Sequence, residues 1–389
     1  MNVLLRDVLG RGPRPLARPG PHTHWRRNEG KADIGQSGSA DATVRPPVSR
    51  VSRAAITLST TMVLAAPNST VALLEQHRPA LTGHCYRMLG SVVDAEDAVQ
   101  ESMLRAWKSI DRFAEQSSLK TWLYRIATNV CLDTISATNR RRVRPVDLSD
   151  TPTTVTDDIV LGKESREYWV EPIPDALALP APDSVDPEEL AILRESIHLA
   201  FVAALQYLPP RQRAVLLLTQ VLNWSAAETA ELFEMTVPAV TSALQRARAT
   251  LDTRNPAVVP RKLSDEQQKI IARYVEAFER YDVSALTALM HEEATMSMPP
   301  YDLWLEGQDS IAKWFLSIGN GCKGSRLVPV KASGGTPAFA QYRDGGATPW
   351  GIIMLELAGD RITGMTTYLD VETLFPRFGL PMRLVAKLP

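Results

Sequence analysis

Cysteine is scarce, with Cys85, Cys131 and Cys322 the whole complement of a 389-residue chain. An odd, widely spaced trio supports neither a disulfide framework nor a zinc site, and a reducing cytoplasm is the compartment it implies. Long apolar runs are lacking as well. The one contender, AAITLSTTMVLAA at 54–66, follows Arg50 and Arg53 in the manner of a signal peptide. It falls short of the roughly 20 residues a bilayer demands and carries several hydroxyls, so it is set aside as a membrane segment. No internal repeat occurs, and nothing calls for a cofactor or a resident metal. Net charge is almost absent, since 43 Lys and Arg against 44 Asp and Glu leave −1. That balance conceals segregation. The first sixty residues and the stretch 120–144 are basic, whereas 147–189 is acidic, so local rather than total charge carries information.

What is present exceeds a single core, and two or three domains are expected. Residues 1–66 are rich in Arg, Pro, Gly and Ser without periodicity. They read as a disordered basic tail, or as sequence upstream of a start near Met62. Compact blocks follow at 67–145, 189–255 and 264–389. In the first, Val71, Leu74, His77, Leu81, Cys85 and Leu89 share one helical face that Gly90 ends. The segment 146–188 is rich in Asp, Glu, Pro and Thr, and Pro152, Pro172, Pro174, Pro180 and Pro182 interrupt it, which predicts an extended linker. The last block combines an amphipathic helix around 264–281 with short β-like runs such as RLVPVKA, GIIMLELA and ITGMTTYL, the pattern of an α+β domain.

The stretch LNWSAAETAELFEMTVPAVTSALQRARATL at 222–251 reads as two helices across a tight turn. Ser225 is placed to cap the first helix with Glu228 at capping-box distance. Thr236 caps the second, which carries Pro238 in its first turn. Val237, Val240, Leu244, Ala247 and Leu251 fall on one face; Pro238, Ala239, Ser242, Gln245 and Arg246 fall on the other. This is a helix-turn-helix, whose second helix meets base edges with its early outward residues. Gln245 suits adenine and Arg246 guanine or phosphate, while the remaining outward side chains bond bases poorly. Shape and phosphate contacts are therefore expected to supply much of the affinity.

Two further helices complete the pattern. In SVVDAEDAVQESMLRAWKSIDRF, at 91–113, Ala95, Ala98, Val99, Ser102, Met103 and Ala106 form a narrow inward face. Glu96, Asp97, Gln100, Leu104 and Trp107 then lie outward or at the flank with Glu101 nearby, a docking face for a basic protein partner. In KTWLYRIATNVCLDTISATNRRRVR, at 120–144, Trp122 and Tyr124 stand among Lys120 and Arg125 ahead of Arg140, Arg141, Arg142 and Arg144. Aromatic rings beside cations suit unpaired bases strung on phosphates, although helix aromatics also simply pack.

DAEDAVQESMLRAW, SLKTWLYRIATNVCLD…RRR and LPPRQRAVLLLTQVLNWSAAETAELFEMTVPAVTSALQRAR resemble regions two and four of bacterial extracytoplasmic-function sigma factors. ARYVEAFERYDVSALTALMHEEATMSMPP and WLEGQDSIAKWF resemble the SnoaL-like, nuclear-transport-factor-two-like fold that ends some such factors. The resemblance implies two all-α sigma domains, a region-two bundle and a region-four helix-turn-helix, ahead of an α+β cone. It also implies a chain that joins core RNA polymerase through its beta and beta-prime subunits and directs initiation at promoter DNA, subject to an anti-sigma or small-molecule regulator.

Carried over residue by residue, Asp97, Gln100, Glu101 and Leu104 would face the polymerase clamp. Phe113, Ser117, Ser118, Lys120, Tyr124, Arg125, Thr128 and Asn129 would melt and hold the −10 element. Arg140, Arg141 and Arg142 would hold its phosphates, while Trp122 packs inward with Leu119, Leu123, Ile126 and Val130. Thr236, Val237, Pro238, Thr241, Ser242, Gln245 and Arg246 would read the −35 element. Many relatives carry Lys or Arg where Thr241 and Ala243 stand here, so promoter preference does not transfer. The resemblance further implies that the acidic linker threads a polymerase channel used by RNA.

For the last block, the fold implies a pocket with His291, Asp302, Glu306 and Asp370 as acid–base candidates and Trp304 and Tyr368 as walls. The alternative reading is accordingly a small-molecule enzyme or ligand sensor with accessory DNA-binding helices. Fold alone does not establish catalysis, and a regulatory module tethered near the promoter-binding regions is the preferred expectation.

Overall fold

The computed structural model describes residues 68–113, 117–138, 141–147, 149, 151–156, 158–254 and 263–384. The tail expected over 1–66 lies outside the described residues, as does Arg140. The described residues from Leu74 onward belong to one compact unit.

Helix α1 (Asn68–Glu75) precedes the first module, in which α2 (Arg78–Leu89), α3 (Val92–Ser109) and α4 (Leu119–Thr138) pack on one another. The apolar spacing predicts one helix through 71–89, but the backbone breaks at Gln76 and His77. Pro79, in the first turn of α2, lacks the N–H that would bond Glu75, so α1 stops there. Gly90, at φ 73°, ends α2 in the left-handed region, and Ser91 caps α3 by accepting the Asp94 N–H at 3.2 Å.

The second module follows the four-residue helix α5 (Asp175–Ala178) and comprises α6 (Pro187–Glu195), α7 (Leu199–Leu205), α8 (Pro210–Leu216), α9 (Ala226–Phe233) and α10 (Val237–Arg254). The capping box is formed: the Ser225 hydroxyl accepts the Glu228 N–H at 3.1 Å, and Glu228 accepts the Ser225 N–H at 2.8 Å. Thr236 accepts the Ala239 N–H at 3.3 Å and starts α10. Both α8 and α9 pack against α10, which completes the helix-turn-helix.

The third module is α+β: α11 (Asp265–Arg280), α12 (Val283–Thr287), β1 (Met290–Ser297), β2 (Trp304–Glu306), α13 (Gln308–Leu316), β3 (Arg326–Ala332), β4 (Thr336–Arg343), β5 (Thr348–Ala358), β6 (Arg361–Tyr368) and α14 (Val371–Arg377). The six strands are ordered β2-β1-β6-β5-β4-β3, with β1 and β6 parallel and the other pairs antiparallel. Phe339 sits opposite Ile353 and Met354 opposite Thr366, so alternate residues address opposite faces.

Both faces are apolar, which is why GIIMLELA reads as a continuous run rather than an alternation. Ile353 and Leu355 join Phe339, Tyr274, Phe278 and Trp314 in a core between the sheet and α11 and α13. Ile352 and Met354 join Ala338, Ala340 and Ala332 in the core that also holds the helices of both preceding modules. Small alanines on that outer face let the sheet lie close against its neighbours.

The linker is fixed rather than an extended tether. Thr153 donates its N–H to the Trp304 carbonyl at 2.7 Å, Glu164 donates to Pro300 at 2.8 Å, and Val155 is buried in the cone core. The first of these contacts lies on β2, the edge of the sheet, where backbone groups would otherwise stay unpaired. Further along, Trp169, Val170 and Ile173 are buried. The β3–β4 turn then plugs into the linker: Ser333 donates to the Ile173 carbonyl at 2.8 Å, and Gly334 donates to Asp175 at 2.7 Å. Proline and acidic composition conceal this because a few buried side chains anchor a segment whose average character is that of a tether.

Gly334, at φ 78°, is required twice over. A Cβ there is strained by backbone conformation and would run into the Arg194 carbonyl and the His198 ring. Gly334→Ala is therefore expected to destabilise the chain by about 2 kcal/mol. Urea denaturation measures the loss, and limited proteolysis should show faster cleavage within 146–188.

Candidate nucleic-acid interface

The α3 face expected to dock a partner is exposed as its spacing demands. Ala95, Ala98, Val99, Ser102, Met103 and Ala106 are buried, while Asp97, Gln100 and Glu101 are exposed. Leu104 and Trp107 stay 44% and 41% exposed, apolar surface with no internal purpose. Glu101 pairs with Arg105 at 2.7 Å on the same helix. Glu96, at the flank, pairs at 2.7 Å with Arg377 of α14, so the C-terminal module touches the edge of this face.

Placement on α4 departs from expectation. Tyr124 and Thr128 are buried, not turned toward solvent. Tyr124 meets His84 edge-on at 5.3 Å, and the Thr128 hydroxyl donates to the Tyr124 carbonyl at 2.7 Å. The reason is register: with Leu123, Ala127 and Cys131 they fall on the face that packs into the bundle. Trp122 lies partly buried on the same core, with Phe113 against it at 5.1 Å. Ser117 is half-buried, and Ser118 caps the helix by accepting the Thr121 N–H at 3.0 Å. Lys120, Arg125 and Asn129 lie outward or at the flank.

The two cations are engaged by the second module, Lys120 by Glu189 at 3.0 Å and Arg125 by Glu231 of α9 at 2.6 Å. Arg142 is also corrected from a phosphate ligand to a buried strut. It bonds Asp94 at 2.5 Å and the carbonyls of Arg166 and Trp169 at 3.2 and 3.0 Å. Arg141 is exposed, with its guanidinium 4.3 Å over the Tyr207 ring.

On α10, Thr236, Val237, Pro238, Thr241, Ser242, Gln245 and Arg246 are all exposed and form one outward surface. Val237, assigned inward by spacing, is 45% exposed, and Ala243 takes the inward position with Val240, Ala247 and Leu251. Val237 begins the helix, where no preceding turn exists to cover it.

Residues without an evident sequence signal join the modules. Arg87, on α2, is buried and donates to Ser196 at 2.7 Å and to the Leu193 carbonyl at 2.9 Å. Arg213, on α8, is buried and donates back to the Met88 carbonyl and to Gln206 at 2.7 Å. Burial pulls both guanidinium groups down to about 10, so both remain charged near neutrality. Glu171 is seated at the N-terminus of α3, where it accepts from the Ser91 hydroxyl at 2.7 Å and the Val92 N–H at 3.2 Å. Desolvation nonetheless raises its pKa, against the pull of Arg142. Only the dense apolar run around Trp169 hinted that this part of the linker was anchored.

The acid–base candidates in the third module are not brought together. His291 and Glu306 are exposed, and Asp302 lies against Gly162 of the linker. The Trp304 indole donates to Ser149 at 2.9 Å beneath the linker instead of lining a pocket. Tyr368 and Asp370 do line a cavity, which has the linker as its other wall.

An exposed acidic helix, a helix-turn-helix with an exposed outward face and an α+β cone together are the features of a transcription protein. The chain matches Sigma-70 region 2 over residues 73–141, Sigma-70 region 4 over 198–251 and the SnoaL-like domain over 271–365. It is 45% identical to the ECF RNA polymerase sigma factor SigG of Mycobacterium tuberculosis, over 79% of this chain and 82% of that one. The chain belongs to the extracytoplasmic-function RNA polymerase sigma factors, which are transcription initiation factors and not enzymes. It is also 31% identical to SigW of Bacillus subtilis, over 43% of this chain and 78% of that one. The crystal structure of Mycobacterium tuberculosis SigJ shares its fold at a TM-score of 0.50 and 19% identity, covering 78% of this chain and 96% of that one. Among the described residues no helix is long and apolar enough to cross a membrane.

His84 makes the junction sensitive to pH. It is buried against Arg87 and bonds Thr128 at 2.9 Å, and desolvation with the Arg87 charge pushes its pKa down to about 3. An unfolded histidine protonates near pH 6.5. Above that pH neither state gains a proton; below it the unfolded state takes one that the fold refuses. Stability is therefore lost as pH falls from about 6.5 toward 3, by up to about 5 kcal/mol. His84→Leu should flatten the pH dependence of unfolding between about pH 6 and 4 by close to one proton, measured by urea titrations at fixed pH. An unchanged slope would disprove the assignment.

Proposed function

We propose that this sigma factor joins core RNA polymerase, its beta and beta-prime subunits, through the α3 face of Asp97, Gln100, Glu101 and Leu104, and reads promoter DNA through two separate surfaces. Thr236, Val237, Pro238, Thr241, Ser242, Gln245 and Arg246 meet the −35 element. Phe113, Ser117, Ser118, Lys120, Arg125 and Asn129 meet the −10 element, with Arg140 and Arg141 on phosphates. Tyr124, Thr128 and Arg142 hold this surface in shape from behind. The C-terminal module regulates the exchange between closed and DNA-engaged arrangements, and an anti-sigma protein or a small molecule acts on that exchange. The work is cytoplasmic, where polymerase and promoter are found.

The observation that carries this reading is the pairing of Lys120 with Glu189 and of Arg125 with Glu231. Cations suited to the −10 strand are occupied by carboxylates of the −35 module, standing where phosphates would be. Meanwhile the polymerase face and the recognition surface of α10 remain open. Contact with polymerase can therefore precede exposure of the −10 surface, and melting is confined to assembled holoenzyme.

Reconstitution with core polymerase tests the reading. Leu104→Asp should weaken assembly at least about tenfold, seen by native electrophoresis. Glu189→Gln with Glu231→Gln should raise run-off transcription about two- to fivefold, the scale of exposed ion pairs. Removal of residues 262–389 should alter promoter output. A chain that fails to join polymerase, or joins it and directs initiation from no template of a promoter library, would falsify the proposal.

A further inference from the structure

A cavity of about 640 Å³ lies between the linker at Lys163–Glu171 and the end of the sheet, with Pro299–Tyr301, Thr348–Trp350 and Tyr368–Leu374 as its far wall. Its size is that of a small-molecule site, which typically holds about 300–1,000 Å³. It is separate from the interior of the cone, where Tyr274, Phe278, Phe339 and Trp314 pack together.

Aromatic walls come from Trp169, Tyr301, Trp350 and Tyr368. The charged lining is unequal, with Glu164, Glu171, Asp370 and Glu372 against Lys163 and Arg166. Arg166 is already committed to Glu171 at 3.5 Å and to Asp370 at 4.0 Å. Asp370 accepts the Thr373 N–H with one oxygen at 3.3 Å, at the start of α14, and among the described residues its other oxygen has only that long contact with Arg166. The Arg343 guanidinium lies 4.3 Å over the Trp350 ring and holds that ring at the cavity wall. The buried indole N–H of Trp169 has no hydrogen-bond partner among the described residues. A buried donor of this kind requires an acceptor.

We propose that this cavity binds a small aromatic or apolar organic amine that also carries a hydrogen-bond acceptor. The ammonium meets the Asp370 side, the ring lies among Trp350 and the tyrosines, and the acceptor takes the Trp169 N–H. One wall is linker and the other is sheet, so the site exists only while the linker is docked. An occupant consequently favours the docked arrangement in proportion to its concentration over its dissociation constant. Glu171, in the linker wall, also holds the N-terminus of the polymerase-docking helix, so occupancy bears on the regulation proposed above. Binding itself is independent of promoter recognition and is read on the free chain.

The test uses the full chain without polymerase and three probes of matched shape. Tyramine carries ring, amine and acceptor; phenethylamine lacks the acceptor; 3-(4-hydroxyphenyl)propionate replaces the amine by an acid. Titration calorimetry and thermal melting should show saturable tyramine binding below about 1 mM with a rise in melting temperature. Phenethylamine should bind more weakly and the acid not at all. Trp350→Ala should abolish tyramine binding, Asp370→Asn, which keeps the helix cap, should weaken it about tenfold, and Trp169→Phe should remove the preference for tyramine over phenethylamine. No saturable tyramine binding up to about 1 mM, equal binding of the acid, or full binding by folded Trp350→Ala overturns the proposal.

Discussion

The arrangement depends on two buried cations that cross between the helical modules. Arg87 leaves α2 to bond Ser196 and the Leu193 carbonyl, and Arg213 leaves α8 to bond the Met88 carbonyl and Gln206. None of these partners is a carboxylate; their oxygens are neutral. A buried charge held by carbonyl dipoles is stable only at one geometry, since a displacement of an ångström leaves it neither solvated nor bonded. Apolar packing alone would let the modules slide. Reciprocal arginines fix their register, and that register brings Glu231 to Arg125 and Glu189 to Lys120. Once apart, both guanidinium groups regain water, so the same contacts that specify the closed arrangement do not forbid opening.

The sheet extends this junction to the C-terminus. Its inner face makes an ordinary cone core, while Ile352, Met354, Ala338 and Ala340 on its outer face share a core with the helical modules. A strand buried on both faces has no solvent side to give up, so the third module cannot pivot freely on a tether. The linker reinforces the constraint by covering edge strand β2 and by carrying Glu171 to the start of α3. Events at the sheet end are thereby connected to the docking helix through bonded atoms.

Helical periodicity revealed most of the two helical modules. The inward face of α3, and that of α10 from Val240 onward with Ala243 added, follow spacing because each is a long helix with one buried side, and the capping box at Ser225 follows from chemistry local to three residues. Errors arose where a second surface intervened. Tyr124 and Thr128 lie on a face whose partner, His84, is forty or more positions away, so composition near Arg125 suggested exposure that packing removed. Arg142 sits in a run of cations, yet Asp94 and two carbonyls of the linker surround it. The linker's fixity was hidden for the same reason. Trp304, chosen as a pocket wall, faces Ser149, a contact across more than 150 positions that no local pattern encodes.

The strengths of these contacts bear on how the α4 surface proposed to meet the −10 element becomes free. The pairs Arg125–Glu231 and Lys120–Glu189 are partly exposed, and such pairs are worth at most about 1 kcal/mol each. They screen the surface electrostatically but do not hold the modules together. Loss of both pairs alone leaves Arg87, Arg213 and the double-faced sheet in place. On the proposed reading, full exposure of α4 needs an agent that offsets the buried junction as well, and a protein–protein interface of ordinary size supplies free energy on the order of 10 kcal/mol. If α4 meets the −10 element as proposed, a weak electrostatic screen over a strong mechanical joint predicts graded leakage when only the screen is weakened, and full opening only on assembly.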